Sequence, residues 1–197
     1  VKAAGQGRAR CVAVLPKNTP RPYPVVVYLH GSGGNLLGGG NDLRQMAEMG
    51  LAAVGMDYCQ TNDAACEEQF AALLRYLQRQ KWADTNAVAW VGFSLGAEKV
   101  TRFWLKHPEA QPKLLVRLAG GWIPELEGAE HRTLNIEHST SNGPKSSTLN
   151  LQRSTVLLLH GDQDGVFPLT DAERVAAALR TNGVPVDTDA DGVPDYA

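Results

Sequence analysis

Short apolar runs alternate with stretches of helical periodicity along most of the chain, and this alternation constrains the fold more than any other feature. It is typical of a parallel sheet whose strands are joined by crossover helices. The run VVVYLHG is almost continuously apolar, as expected for a strand whose two faces are both covered. The predicted strands lie at residues 11–16, 25–31, 51–58, 87–92, 113–122 and 154–161. The chain is therefore predicted to form one open, mostly parallel α/β sheet with helices on both faces.

Helical signals fill the intervals between these runs. Asn41 is predicted to be the N-cap of a helix that Gly50 closes. Between residues 65 and 80, apolar side chains recur at helical spacing and define one face against the sheet. Two further helices are predicted at 96–106 and 171–182. Residues 124–153 are polar and interrupt the rhythm, which indicates a loop or an excursion from the sheet.

The length of 197 residues suits one domain, here taken as residues 1–186 with an acidic tail at 187–197. A net charge of −2 gives no reason to expect nucleic acid or an anionic membrane as a partner. No apolar run approaches the length of a membrane span. The oligomeric state stays open.

Two of the three cysteines bear on the cellular compartment. Cys59 and Cys66 lie in a turn-rich stretch at a separation that a small loop disulfide could close, and free thiols are an equal alternative. A disulfide would favour a secreted or periplasmic protein, and free thiols a cytoplasmic one. Cys11 lies in a predicted strand and is interpreted as a small buried hydrophobe.

The stretch VGFSLGAE contains Gly92-Phe93-Ser94-Leu95-Gly96, which fits the pattern Gly-X-Ser-X-Gly. A predicted strand runs into it and a predicted helix runs out, which is the setting of a nucleophile elbow. Glycines on both sides remove side chains that would clash in so sharp a turn. The alternative is a glycine-rich turn with an incidental serine.

Two other strand ends supply what acyl transfer needs. The stretch YLHGSGGN can present backbone N–H groups to a developing oxyanion, and the predicted pair of donors is Ser32 and Leu95. A phosphate-binding loop is the alternative, but the stretch lacks the Lys-Ser/Thr of such loops. The stretch LLLHGDQDGVFP places Asp162 and Asp164 after a late strand, where a carboxylate could orient a catalytic base.

These three motifs together resemble the α/β-hydrolase family, particularly its dienelactone-hydrolase-like and polyester-depolymerase-like esterases, over about residues 10–186. The resemblance implies an α/β-hydrolase fold and hydrolysis of a small-molecule or polymeric carboxylic ester through an acyl-enzyme, with no cofactor required. It implies Ser94 as nucleophile and Asp164, rather than Asp162, as the acid. It also implies the chain order Ser, Asp, His, with the histidine after a last strand near residues 184–187.

No histidine follows His160 in the sequence, so the expected base is missing from its usual place. Three explanations stay open. In the first explanation, the last strand and the histidine are absent through truncation or interruption. We favour this explanation because the other parts of the hydrolase site are present. Alternatively, the chain is a non-catalytic binding or scaffold domain, or His131 or His138 completes a rearranged triad.

An aspartate-rich segment, VDTDADGVPDYA, stands where the histidine is expected. Its alternating carboxylates are hard oxygen ligands of the kind calcium prefers, and a turn-forming glycine follows them. The segment resembles the start of a thrombospondin type 3-like calcium repeat, and a solvated acidic tail is the equal alternative. The predicted calcium ligands are Asp187, Asp189, Asp191 and Asp195.

Overall fold

A computed structural model describes residues 9–36, 39–107, 109–129, 154–161 and 164–187. Within these ranges one seven-stranded sheet has the order β1-β3-β2-β4-β5-β6-β7. The strands are β1 (Cys11–Val14), β2 (Tyr23–Leu29), β3 (Ala52–Met56), β4 (Ala83–Phe93), β5 (Leu114–Leu118), β6 (Thr155–Leu159) and β7 (Val186–Asp187). β1 pairs antiparallel with β3, and all the other pairs are parallel. The predicted mostly parallel sheet is confirmed.

Four α-helices and a 3₁₀-helix connect the described strands. They are α1 (Gly40–Glu48), α2 (Asp63–Leu77), α3 (Leu95–Lys106), α4 (Leu169–Thr181) and the 3₁₀-helix Pro124–Ala129. Every predicted α-helix is present, but the N-cap prediction for α1 is wrong. Gly39 is the N-cap, without a side-chain hydrogen bond, and Asn41 lies inside the first turn. A polar residue near a helix start locates that start only to within a residue or two.

Helices cover both faces of the sheet, as the sequence predicts. On one face, the larger core cluster joins α2, α3 and α4 to the sheet through Phe70, Trp104, Val175 and Leu179. Trp90 of β4 packs edge-on against Phe70 there, with ring centroids 5.1 Å apart. The smaller cluster, on the other face, holds Leu43 of α1 against residues of β2 to β5. This burial of apolar surface is the main favourable contribution to folding.

Helix α2 has a side-chain cap that α1 lacks, and this gives a test of the helix assignments. The Asn62 side chain accepts a hydrogen bond from the Ala65 N–H at 3.0 Å. Asn62→Ala is expected to lower the free energy of unfolding by about 1 kcal/mol, because an N-terminal donor loses its acceptor. Asn41→Ala should be neutral or slightly stabilising, since Asn41 caps nothing and alanine favours a helix. Urea denaturation followed by circular dichroism measures both, and equal losses would contradict the assigned caps.

The disulfide considered from the sequence is not formed, because Cys59 and Cys66 are both free thiols. Cys66 lies in the first turns of α2 and is buried in the core, and burial raises the pKa of its thiol to about 12. The backbone N–H of Cys59 is held by the Gln69 side chain at 2.8 Å. The secreted or periplasmic location therefore loses this support and stays a prediction. In the part of the chain described, no helix is both long and apolar enough to cross a membrane.

Candidate active site

Ser94 occupies a strained turn between β4 and α3. Its φ of 53° and ψ of −121° lie in a region that side-chain-bearing residues rarely adopt. A Cβ on Gly92 would lie 2.4 Å from the Gly96 oxygen, and one on Gly96 would lie 2.2 Å from the Leu29 oxygen. Both glycines are therefore required by close backbone approach. Such strain persists only where the surrounding structure imposes it, and it is common at functional sites.

The strand register places Ser94 at the carboxyl edge of the sheet. Leu29 pairs with Gly92, Phe93 with Leu118, and Leu118 with Leu159, so the loops after β2, β4, β5 and β6 emerge together. The Ser94 N–H donates to the Leu118 oxygen at 2.8 Å, which fixes the turn to β5. In open α/β sheets this edge is where ligands bind.

The glycine-rich loop after β2 lies directly against Ser94. A Cβ built on Gly31 would be 3.2 Å from the Ser94 Cβ, so Ser32, the next residue, is brought beside the serine. Leu95 begins α3, whose N-terminal N–H groups have no intrahelical acceptor. Among the described residues, neither the Ser32 nor the Leu95 N–H donates a hydrogen bond. The N–H groups of Ser32 and Leu95 thus have no acceptor among the described residues, and their role as oxyanion donors stays a prediction.

Asp164 lies in the turn after β6. Its Oδ1 accepts hydrogen bonds from the N–H groups of Val166 at 2.8 Å and Phe167 at 3.1 Å. These bonds favour the charged form and hold the pKa of the carboxyl below its ordinary value. His160 Nε2 is 3.8 Å from Asp164 Oδ2 and 2.8 Å from the Phe167 oxygen, to which it donates. The carboxylate is therefore ionised and fixed by its turn. Asp162 lies outside the described residues.

None of the three described histidines has a hydrogen bond to Ser94. The His30 Nδ1–H donates to the Gly31 oxygen at 2.8 Å, and the His160 Nε2–H donates to the Phe167 oxygen in its own turn. His107 bonds Glu67 and Glu109 and lies at the far end of α3, about 20 Å from Ser94 at 1.5 Å per residue. His131 and His138 lie outside the described residues. The base for Ser94 is thus not found in the part of the chain that the structure shows.

The predicted calcium ligands fall mostly outside the described residues. Asp187 lies in β7, is buried and pairs with Leu157, which is a sheet position rather than a loop position. Asp189, Asp191 and Asp195 are outside the described ranges. Within those ranges no group of three His, Cys, Asp or Glu residues is placed to hold a metal ion. Calcium binding by the tail stays a prediction.

Three side chains that follow strand ends are candidates for a substrate pocket, with ordinary packing as the alternative. The structure favours packing. Tyr58 is buried and donates its hydroxyl to the His30 oxygen at 2.6 Å, and Ile123 is completely buried. Trp122 is half-buried beneath the Arg174 guanidinium, 4.0 Å from the ring centroid.

Arg117 is a residue near the site that sequence reasoning missed. It lies in β5, is 2% exposed, and burial lowers its pKa to about 10. Its guanidinium donates to the Thr101 hydroxyl and, at 2.7 Å, to the Gly121 oxygen. These bonds tie the helix that follows Ser94 to the loop after β5. The available signal was a lone arginine within the apolar run KLLVRLAGG.

Comparisons with known proteins relate the chain to others through structure alone. No family model and no curated protein sequence matches it. Est1E from Butyrivibrio proteoclasticus, solved with ferulic acid, has a TM-score of 0.65 and 17% identity over 91% of this chain and 84% of that one. The butyrate-bound esterase Est2 of Thermogutta terrifontis has a TM-score of 0.67 and 14% identity, and the match covers 100% of this chain and 81% of that one. MGS-M1, an α/β hydrolase from a Medee basin deep-sea metagenome, has a TM-score of 0.67 and 14% identity, and the match covers 95% of this chain and 77% of that one.

The order of the strands and these structural similarities define the fold class. The chain has the α/β-hydrolase fold, as the motif resemblance implies.

Proposed function

We propose that the protein is a serine hydrolase that cleaves carboxylic esters through an acyl-enzyme on Ser94. The observation that carries this proposal is the strained Ser94 turn beside two backbone N–H groups that no described residue claims. Strain of this kind needs a reason, and a serine nucleophile next to oxyanion donors supplies one. Esterases among the structurally similar proteins support the same class of reaction.

In the proposed reaction, Ser94 Oγ forms a bond to the ester carbonyl carbon while its proton passes to a base. The carbonyl oxygen becomes negative and accepts hydrogen bonds from the N–H groups of Ser32 and Leu95. The carbon–oxygen bond to the alcohol then breaks, and the alcohol leaves with a proton. Water attacks the acyl-serine, releasing the carboxylic acid and restoring the Ser94 hydroxyl.

In this proposal the ionised Asp164 has the role of orienting and stabilising a protonated histidine, as the acid of a triad does. Since no described histidine has a hydrogen bond to Ser94, we propose that turnover by these 197 residues is impaired while acylation by reactive esters persists. Oxyanion stabilisation and binding alone can leave roughly 10³–10⁴-fold catalysis over water when a triad member is missing.

The substrate class proposed is a small-molecule or polymeric carboxylic ester. Est1E is described with ferulic acid and Est2 with butyrate, which supports short or aromatic acyl groups as first probes. p-Nitrophenyl butyrate is a suitable reporter, because its good leaving group lowers the demand for a general acid.

A fluorophosphonate probe tests the nucleophile directly. We expect one equivalent of phosphonyl group on Ser94, identified by peptide mass spectrometry, and no labelling of Ser94→Ala. Esterase 2 of Thermogutta terrifontis is described as phosphonylated by sarin, which supports this choice of probe. If the folded parent protein takes up no probe, the hydrolase proposal fails and the non-catalytic scaffold stands instead.

A further inference from the structure

The glycine-rich loop beside Ser94 is held in place by side chains from a different strand end. We call residues 30–36 the oxyanion loop and residues 57–60, which follow β3, the support segment. The two are far apart in sequence but adjacent at the sheet edge, because β2 and β3 are neighbouring parallel strands.

Gln60 makes two hydrogen bonds to the middle of the oxyanion loop, one through each polar atom of its side-chain amide. Its Oε1 accepts from the Gly33 N–H at 2.9 Å, and its Nε2 donates to the Gly34 oxygen at 3.2 Å. An amide side chain bonded to one donor and one acceptor of consecutive residues replaces the partners that a strand would provide. The loop is thereby fixed on the C-terminal side of Ser32.

Tyr58 and Asp57 hold the two ends of the same loop. The Tyr58 hydroxyl donates to the His30 oxygen at 2.6 Å, and its ring stacks on the His30 imidazole with centroids 4.8 Å apart. Asp57 Oδ1 accepts from the Leu36 N–H at 2.8 Å. Asp57 is itself paired with Arg10 at 2.7 Å.

A turn inside the loop completes the restraint. The Gly31 oxygen accepts both from the His30 Nδ1–H at 2.8 Å and from the Gly34 N–H at 3.1 Å. Ser32 lies at the centre of this turn, and its N–H has no acceptor among the described residues. The Gly31 oxygen and the Gly33 N–H on either side of Ser32 are bonded, while the Ser32 N–H is left without a described acceptor.

We propose that Gln60 and Tyr58 are positioning residues that hold the Ser32 N–H for the oxyanion. The inference rests on the proposed function, since it assigns a purpose to the Ser32 donor. Preorganised donors stabilise a transition state because they need no reorientation as charge develops. A loop with three glycines and one serine in succession and without side-chain support would have to be ordered at each catalytic event. The support segment supplies that order in advance.

Gln60→Ala is the test, with Gln80→Ala as its matched control. Both glutamines are half-buried and donate to a backbone oxygen, but Gln80 bonds Tyr76 at the end of α2, away from Ser94. Removing a whole oxyanion donor costs about 10²–10³ in rate, so loosening one is expected to cost about tenfold. We expect this loss in the rate constant of Ser94 phosphonylation and in kcat for p-nitrophenyl butyrate, with KM unchanged. Gln80→Ala should match the parent.

Amide hydrogen exchange and thermal unfolding separate positioning from mere stability. In Gln60→Ala the Gly33 amide should exchange faster, while the unfolding midpoint should stay within a few degrees of that of Gln80→Ala. Tyr58→Phe, which keeps the stack on His30, should give a smaller loss in the same direction.

The outcomes are distinct for the two proposals. A parent that is labelled, with Gln60→Ala labelled equally fast, overturns the positioning role and leaves the nucleophile standing. Rate losses that follow the unfolding midpoint in both glutamine variants overturn it as well, because they indicate a structural effect. A parent that is never labelled overturns the hydrolase proposal and the positioning role together.

Discussion

Replacing Gly96 with alanine is expected to prevent folding, or to lower the free energy of unfolding by more than 3 kcal/mol. The added Cβ would lie 2.2 Å from the Leu29 oxygen and 2.6 Å from the His30 oxygen. Both are backbone atoms where β2, an interior strand, ends, so neither can move without disturbing the sheet. Overpacking of side chains typically costs about 1–3 kcal/mol, and a backbone clash of this depth should exceed that. Total stabilities are commonly only about 5–15 kcal/mol.

Gly40→Ala is the matched control for that prediction. Gly40 is the first residue of α1, and no described heavy atom lies within 4 Å of a Cβ built there. We expect a neutral effect or a gain of up to about 1 kcal/mol, because alanine restricts the unfolded chain and favours a helix. Urea denaturation and the yield of soluble protein measure both variants. Similar urea midpoints for Gly96→Ala and Gly40→Ala would contradict the close approach of the start of α3 to the end of β2.

The Ser94 turn could be predicted from the sequence because its requirements are local. The strand before it, the helix after it and the two glycines within it are all contained in thirteen consecutive residues. Asp164 likewise makes its hydrogen bonds within three residues, and its role as the catalytic acid stays a prediction. Apolar runs likewise identify the strands, because burial on both faces demands them.

The features that were missed depend on contacts between distant residues. Gln60 meets Gly33 across 27 positions, and nothing in either stretch indicates the pairing. The spacing of Cys59 and Cys66 permits a disulfide, but α2 turns Cys66 into the core, which only the packing reveals. Arg117 is a lone arginine in an apolar run, and its burial is explained by the hydroxyl of Thr101, 16 positions away on α3, to which it donates. Sequence patterns report periodicity and local turns, whereas these partners follow from strand order.

On the proposal that no histidine of these 197 residues activates Ser94, ester turnover is expected to be slow and to rise about tenfold per pH unit from pH 6 to pH 8.5 without a plateau. A histidine base produces a plateau above its ordinary pKa of about 6.5, since it is then fully in its basic form. Without such a base, hydroxide must remove the Ser94 proton and activate the hydrolytic water, so the rate follows hydroxide concentration. Loss of a triad base typically lowers kcat by about 10⁴-fold or more.

Asp164 should add no inflection in that range. Its hydrogen bonds to Val166 and Phe167 lower its pKa, so the carboxylate is ionised throughout and would lose its charge only on further acidification. The measurement is the rate of p-nitrophenyl butyrate hydrolysis at each pH, with the rate for Ser94→Ala subtracted as the control. Added imidazole should raise the parent rate more than that of Ser94→Ala, because it supplies the missing acceptor for the serine proton.

A plateau with a midpoint near pH 6.5 would contradict this expectation and show that a histidine serves as the base. His131→Ala and His138→Ala would then identify it, since the described histidines have other partners or lie too far away. The two results imply different chemistry at the same serine. A sloping profile means that the oxyanion donors and the strained turn act without a protein base, and a plateau means that the triad is completed in a non-standard chain order.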